Sequence, residues 1–262
     1  MPAPPARKRF GQNFLHDAGV IRRILDNLQV DTDDHFVEIG PGHGAITQQL
    51  ATHAGRLDVI EIDRDLVAEL RTQAWLGNTQ IHAGDALEFD FSRLAAAPRS
   101  LRMVGNLPYN ISTPLLFHLI SQLELFRDLH VMLQKEVVAR MAAAPGSRDY
   151  GRLSVALQAH CRVESLFRIG PGAFRPAPKV ESAFARLTPL ADPYIASQEQ
   201  ATFDVIVRSA FGQRRKQLAN ALSSVVAVDT IRAADIDPKA RAENLSVEQY
   251  AALARQHLQH NN

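Results

Sequence analysis

The chain has 262 residues and a net charge of +1, with 46% hydrophobic and 22% charged side chains. This suits one large or two unequal globular domains and excludes nucleic-acid binding through bulk positive charge, so any such surface must be a local patch. A single cysteine, Cys161, excludes an internal disulfide framework and points to a reducing compartment, and no apolar run is long enough to span a membrane, so the expected location is cytoplasmic.

Residues 1–9 are Pro- and Ala-rich and end in Arg7-Lys8-Arg9. Without an apolar stretch they do not read as a secretory leader. They read as a disordered arm whose cations are either solvated or touch phosphate. In Phe10-Gly11-Gln12-Asn13-Phe14-Leu15, amides lie among apolar residues, as suits a segment that packs down and hydrogen-bonds. Val20, Ile21, Ile24, Leu25 and Leu28 recur at helical spacing. Phe36 to Ile39 predicts the first strand, which runs into Gly40-Pro41-Gly42-His43-Gly44 and a helix over 45–51. Strand, glycine turn and helix open a nucleotide-binding unit. The G-x-G-x-G spacing departs from the dinucleotide pattern, which argues against a pyrophosphate on the helix N-terminus. The second strand, 57–62, ends at Glu61 and Asp63. Glu61 lies about twenty residues past Gly40, the spacing of an acid that accepts from ribose hydroxyls. A helix over 66–72 and a strand over 80–83 lead to Gly84-Asp85-Ala86. Asp85 is either a helix cap or an acceptor for an adenine amine.

Leu101 to Val104 reads as a buried strand, followed by Gly105-Asn106-Leu107-Pro108-Tyr109-Asn110. This puts a polar loop at the carboxyl edge of the sheet, where open α/β folds bind ligands. The residue types suit methylation of an exocyclic base amine, a poor nucleophile because its lone pair is delocalised. Asn106 offers a carbonyl acceptor. Pro108 lacks an N–H, and its fixed φ directs the loop's carbonyls. Tyr109 offers a ring for a flat base. Acceptors aimed at the amine hydrogens would favour a pyramidal nitrogen by preorganised electrostatics rather than by a strong base. The bland alternative is an ordinary Asn/Pro turn.

A helix over 115–120, a strand over 129–133 and a helix over 136–141 follow. Residues 142–149, rich in Ala, Pro, Gly and Ser, predict a mobile loop that carries Arg148 near Arg140 and Arg152, either for substrate contact or merely solvated. A helix over 153–161 precedes two paired strands, 163–169 and 180–187. Between them, Phe174, Arg175 and Lys179 suit a base platform with phosphate contacts; the alternative is a stiff hairpin with Phe174 turned inward. A linker at 188–193 leads to helices only. These carry the cationic run Arg214-Arg215-Lys216, read as RNA contact or as a solvated face. The last helix opens at a capping box of Ser246 and Gln249. No metal-ligand spacing occurs. The fold class expected is α/β, a doubly wound domain over 1–190 with a mostly parallel sheet and an antiparallel last strand, followed by a small all-α domain over 191–262.

These stretches also occur together, and in this order, in one family. Gly11 to Leu15, Glu38 to Gly42, Glu61-Ile62-Asp63, Gly84-Asp85, Asn106 to Pro114, Gln213 to Lys216 and Arg241 to Ser246 resemble the ribosomal RNA adenine N6-dimethyltransferase family, most closely its bacterial small-subunit members, over nearly the whole chain. The resemblance implies a Rossmann-like methyltransferase domain with S-adenosyl-L-methionine as methyl donor. It places Asn13 and Leu15 on the methionine side, with Gln12 beside them. It places Gly40 and Gly42 in the cofactor turn, Glu61 on the ribose with Asp63 next to it, Asp85 and Ala86 near the adenine, and Asn106 between donor and acceptor. Asn106, Leu107, Pro108 and Tyr109 would form the catalytic loop, with Tyr109 and Phe174 sandwiching the target base. The implied substrate is a pair of adjacent adenosines in the 3'-terminal hairpin of 16S rRNA, within a small ribosomal subunit precursor. Arg148, Arg175, Lys179, Arg214, Arg215 and Lys216 are the RNA-binding candidates, and the expected protein is a monomer that needs neither metal nor membrane. His43, Gly212 and Ala221 depart from the family's pattern. Two alternatives stay open: a large-subunit (23S) methyltransferase of the macrolide-resistance type, and an assembly factor that keeps the fold and binds RNA without turnover.

Overall fold

The structure, a computed structural model, describes residues 12–77 and 79–261; Arg7-Lys8-Arg9, with Phe10 and Gly11, lies outside the described residues. In chain order the elements are β1 (Phe14–Leu15), α1 (Ala18–Leu28), β2 (His35–Ile39), α2 (Thr47–His53), β3 (Arg56–Glu61), α3 (Arg64–Leu70), β4 (Gln80–Ala83), β5 (Leu101–Asn106), α4 (Ser112–Ile120), β6 (Phe126–Gln134), α5 (Lys135–Met141), α6 (Arg152–Gln158), β7 (Cys161–Ile169), β8 (Phe174–Arg175), β9 (Ser182–Pro189), α7 (Gln200–Gly212), α8 (Leu218–Ala221), α9 (Val228–Ala233) and α10 (Val247–Asn261).

Seven strands form one sheet in the order β4-β3-β2-β5-β6-β9-β7. The strands β4, β3, β2, β5 and β6 pair in parallel, and β9 runs antiparallel to β6. The chain starts the sheet at β2, builds outward through β3 and β4, then returns to the other side with β5. That reversal opens a crevice at the carboxyl ends of β2 and β5. Both strands are buried along nearly their whole length, as parallel strands covered on two faces are, and their sequences are accordingly apolar runs rather than alternating ones.

Small residues and a buried ion pair set the spacing of the central strands. A Cβ on Gly105 would lie 2.7 Å from the Ile39 carbonyl oxygen and 2.8 Å from Leu107 Cδ2. Only glycine lets β5 press this closely on β2 one residue before Asn106. At the opposite edge Arg102 donates to Asp34 at 2.6 Å and to Asp128 at 2.8 Å, and its guanidinium lies 4.7 Å from the Phe36 ring centroid. The apolar face of α1, through Ile24 and Leu28, joins Phe36, Leu50, Leu57, Val59, Val104 and Phe184 in one core. That helix starts where Asp17 accepts the Val20 N–H at 2.9 Å.

The chain forms two compact units, Met1–Val138 with Glu164–Pro189, and Ala139–Val163 with Leu190–Asn262. The sequence reading put everything before 191 in the first domain. The structure moves residues 139–163 to the second unit, because the apolar side chains there find their partners in the C-terminal helices. Tyr150, Val155 and Ala159 are buried with Phe203, Ile206, Leu218 and Tyr250. The loop expected to be mobile is tied into the same unit. The Gly146 N–H donates to the Glu243 carbonyl at 2.7 Å, and Tyr150 Oη donates to the Leu245 carbonyl at 3.0 Å. The capping box forms as read. The Ser246 N–H donates to Gln249 Oε1 at 2.9 Å and the Gln249 N–H to Ser246 Oγ at 3.2 Å. Among the described residues no helix is long and apolar enough to cross a membrane.

Candidate functional site

The crevice at the switch point is a cavity walled by residues from four strand ends and the segment before α1. Gln12, Asn13, Gly40, Gly42, Glu61, Asp85, Ala86, Asn106, Leu107, Pro108 and Tyr109 all line it, alongside Phe14, Ile39 and Ile62. The fold therefore gathers most of the residues that the sequence singled out.

The glycine turn makes one wall. Gly42 has φ +59°, and a Cβ there would meet the Phe14 ring at 2.9 Å, so both conformation and space call for glycine. The Gly42 N–H donates to Glu61 Oε2 at 3.4 Å, and the Asp63 N–H to Glu61 Oε1 at 2.9 Å. Glu61 is only 5% exposed. Burial raises its pKa against the pull of those two N–H groups. Two residues before the turn, Glu38 is buried outright, and burial together with the nearby Glu61 charge pushes it up to about 8. Its Oε2 has no hydrogen-bond partner. It faces a small recess shared with Leu15, Gly40 and Asn106. A buried carboxyl in the wall, Glu61, with a second, Glu38, in the recess beside it, favours a ligand that donates hydroxyls and carries positive charge. Ile62, 45% exposed, adds apolar surface for a flat ring. A ribose diol, a purine and a cationic sulfonium in one molecule meet all three demands, so these residues fit S-adenosylmethionine.

The asparagine loop makes the facing wall. Asn106 ends β5, and its Nδ2 donates to the Asn13 backbone carbonyl at 2.8 Å. With the amino group engaged there, the acceptor Oδ1 is the atom left for a substrate. The Leu107 N–H continues the strand pairing to the Met132 carbonyl at 3.1 Å, and the Pro108 carbonyl accepts from the Ile111 N–H at 3.2 Å, which holds the loop in one shape. Tyr109 Oη lies 2.6 Å from Ser182 Oγ, and burial raises its pKa.

Several expectations need correction. Phe174 is not a base platform in this structure. It is 2% exposed, packed in the first unit's core, and paired with Leu15 between β8 and β1. The hairpin alternative, with the ring turned inward, is the one observed, because burying a phenyl ring outweighs displaying it. Leu15 is itself buried, and reaches the small recess rather than the main cavity. Asp63 caps α3 by accepting the Asp65 N–H at 3.1 Å and takes a hydrogen bond from Gln12 Nε2 at 3.3 Å, so it props the wall from behind. Asp85 accepts the Leu87 N–H at 2.9 Å, as a cap does, and also lines the cavity.

Among the cations, Arg148, Arg175, Lys179, Arg215 and Lys216 are exposed. Arg214 is half-buried. Its Nε donates to Glu243 and its Nη2 to the Arg148 carbonyl, each at 2.7 Å, so its charge is already satisfied within its own unit. His43 pairs with Glu69 at 2.9 Å, with its ring 4.2 Å from that of Phe14. The sequence does not single out Glu38 and Ile62, which line the recess and the cavity, or Ser182, which bonds to Tyr109. The first two flank the glycine turn and the acidic strand end, and that adjacency was the available signal. For Ser182 there was none, since its partner lies 73 positions away. Among the described residues no group of three or more His, Cys, Asp or Glu side chains is placed to hold a metal ion.

Comparison with known proteins accords with this geometry. A family model described as ribosomal RNA adenine dimethylase matches residues 4–257. Proteins named Ribosomal RNA small subunit methyltransferase A from Pseudomonas syringae pv. tomato and Pseudomonas fluorescens are 53% and 54% identical. The alignments cover 95% and 96% of this chain, and 93% of each relative. A dimethyladenosine transferase from Plasmodium falciparum has a crystal structure that aligns with a TM-score of 0.79 at 26% identity, covering 92% of this chain and 95% of that one. The 23S rRNA methyltransferase ErmE, 24% identical, shares the fold with a TM-score of 0.69 over 93% of this chain and 99% of its own. On its motifs, its cavity and these matches, the chain belongs to the ribosomal RNA adenine dimethylase family.

Proposed function

We propose that this protein transfers methyl groups from S-adenosyl-L-methionine to the N6 amines of two adjacent adenosines in the 3'-terminal hairpin of 16S rRNA, acting as a monomer on small-subunit precursors in the cytoplasm. The observation that carries the reading is the Asn106 carboxamide, anchored through its amino group to Asn13 at 2.8 Å at the rim of a cavity that fits the cofactor. When bound, the cofactor supplies an electrophilic methyl group. Glu61 would accept its ribose hydroxyls, Asp85 and Ala86 would close the adenine end, and Gln12 and Asn13 the methionine end. The target base leaves its stack to enter the crevice. Asn106 Oδ1 and the Leu107 carbonyl accept the amine hydrogens, which localises the nitrogen lone pair. Tyr109 holds the ring by stacking. No ionised base is required, because the loop acts by fixed dipoles in a partly dry site. Arg175, Lys179, Arg148, Arg215 and Lys216 meet phosphates.

The small-subunit reading is favoured over a large-subunit one by relatives of that name at 53–54% identity over nearly the full length. Incubating the protein with labelled cofactor and either immature small subunits or large subunits tests it, with primer extension to map the modified bases. Label in small subunits at two neighbouring adenosines is the expected result. Label confined to large subunits would overturn the assignment.

A further inference from the structure

We infer that Ser182 is a positioning residue for methyl transfer, its hydroxyl holding the Tyr109 ring on the axis along which it meets the target base. The inference rests on the proposed stacking role of Tyr109 and adds a residue to it. Ser182 opens β9 and is fully buried. It pairs with Gln134 in the antiparallel ladder to β6, so the sheet fixes its Cα. Its side chain has one rotatable bond, so its Oγ stays close to the strand that carries it. Tyr109 is the opposite case. It sits in the connection between β5 and α4 and reaches the cavity on a side chain with two rotatable bonds. The 2.6 Å hydrogen bond, in which either hydroxyl can donate, ties the free end of the ring to the sheet.

Stacking on a base needs only a ring face, which phenylalanine would supply equally. The phenol oxygen therefore has work other than stacking, and its partner is a strand residue rather than solvent. A ring held at both Cβ and Oη cannot swing away from the Asn106 end of the loop. With Phe174 buried in the core, Tyr109 is the aromatic side chain of the predicted pair that lines the cavity. Its orientation then bears directly on where the amine sits relative to Asn106.

The test uses the full-length protein with Ser182→Ala, Tyr109→Phe, the double variant and Tyr109→Ala. Turnover is measured with labelled cofactor on immature small subunits, with KM for the cofactor and the thermal midpoint as controls. Each conservative single variant should lower kcat about tenfold, since sub-ångström misplacement near reacting atoms is costly. The double variant should be no slower than either single one, because both remove the same bond. KM for the cofactor should not move. Should Ser182→Ala fold poorly, Tyr109→Phe deletes the same bond from the half-buried side. Additive losses overturn the positioning role and leave stacking intact. So do single variants at wild-type speed beside an inactive Tyr109→Ala. A Tyr109→Ala protein that turns over normally overturns the stacking role, and this inference with it.

Discussion

Asn106 is both a strand end and a reacting-site group, and its two halves divide the labour. Its amino group is spent on the Asn13 carbonyl, which fixes which end of the amide is free. Replacing it with alanine should reduce kcat about a hundredfold, as loss of one preorganised polar group does elsewhere, with cofactor affinity unchanged by titration. Retained turnover would remove the residue from the chemistry. Glu38 makes a prediction about pH. Its folded pKa, about 8, lies above the ordinary 4.5. The folded protein therefore holds a proton that the unfolded chain releases, so Glu38's contribution to stability is present below about pH 4.5 and is lost as pH rises toward 8. Glu38→Gln mimics the protonated form. Its thermal midpoint should fall less than the wild type's across that window, and parallel curves for the two proteins would show that the carboxyl does not titrate there. At this scale the sequence was readable where chemistry and spacing coincide, as at Glu61 and Asn106. At Glu38 it offered only adjacency to the glycine turn, because nothing in a residue's type says that one of its oxygens will be buried without a partner.

Among the elements, the glycine turn and the β5 loop show how local pattern becomes geometry. Apolar runs identified the strands, and Gly105 allowed the close approach of β5 to β2 that sets Asn106 at the switch point. The hairpin of β8 was harder to read, since a Phe beside cations is equally consistent with a platform and with a plug. Burial against Leu15 decided it. The cationic run before α8 divides in the same way. Arg215 and Lys216 are exposed, whereas Arg214 is held by Glu243 and the Arg148 carbonyl. Arg215→Ala and Lys216→Ala should each flatten the salt dependence of RNA binding by about one unit of log slope. Arg214→Ala should instead lower the thermal midpoint while leaving that slope nearly unchanged. A binding titration at several salt concentrations, paired with a melt, separates the two outcomes. A reduced slope for Arg214→Ala would mean that its internal pairing yields to RNA.

For the whole molecule, a net charge of +1 means that affinity for RNA must come from the placement of a few cations rather than from their number. The parallel sheet was legible because its central strands are locally apolar. The membership of residues 139–163 was not, because partnership between distant helices leaves no mark on local periodicity. Their chain position has a consequence for how the protein is made. The backbone passes between the two units three times, after Val138, Val163 and Pro189. During synthesis Tyr150, Val155 and Ala159 leave the ribosome well before Phe203, Ile206 and Tyr250, the side chains that cover them. The sheet can begin to assemble on emergence, but this interior stretch has to wait with its apolar face bare. A chain stopped at residue 190 should never get past that stage. It should bind hydrophobic dye, melt without a cooperative transition and precipitate, and a soluble, sharply melting product would show that the early helices shelter themselves. The helical unit is thus threaded through its neighbour's sequence and cannot be shed, exchanged or appended by a single cut.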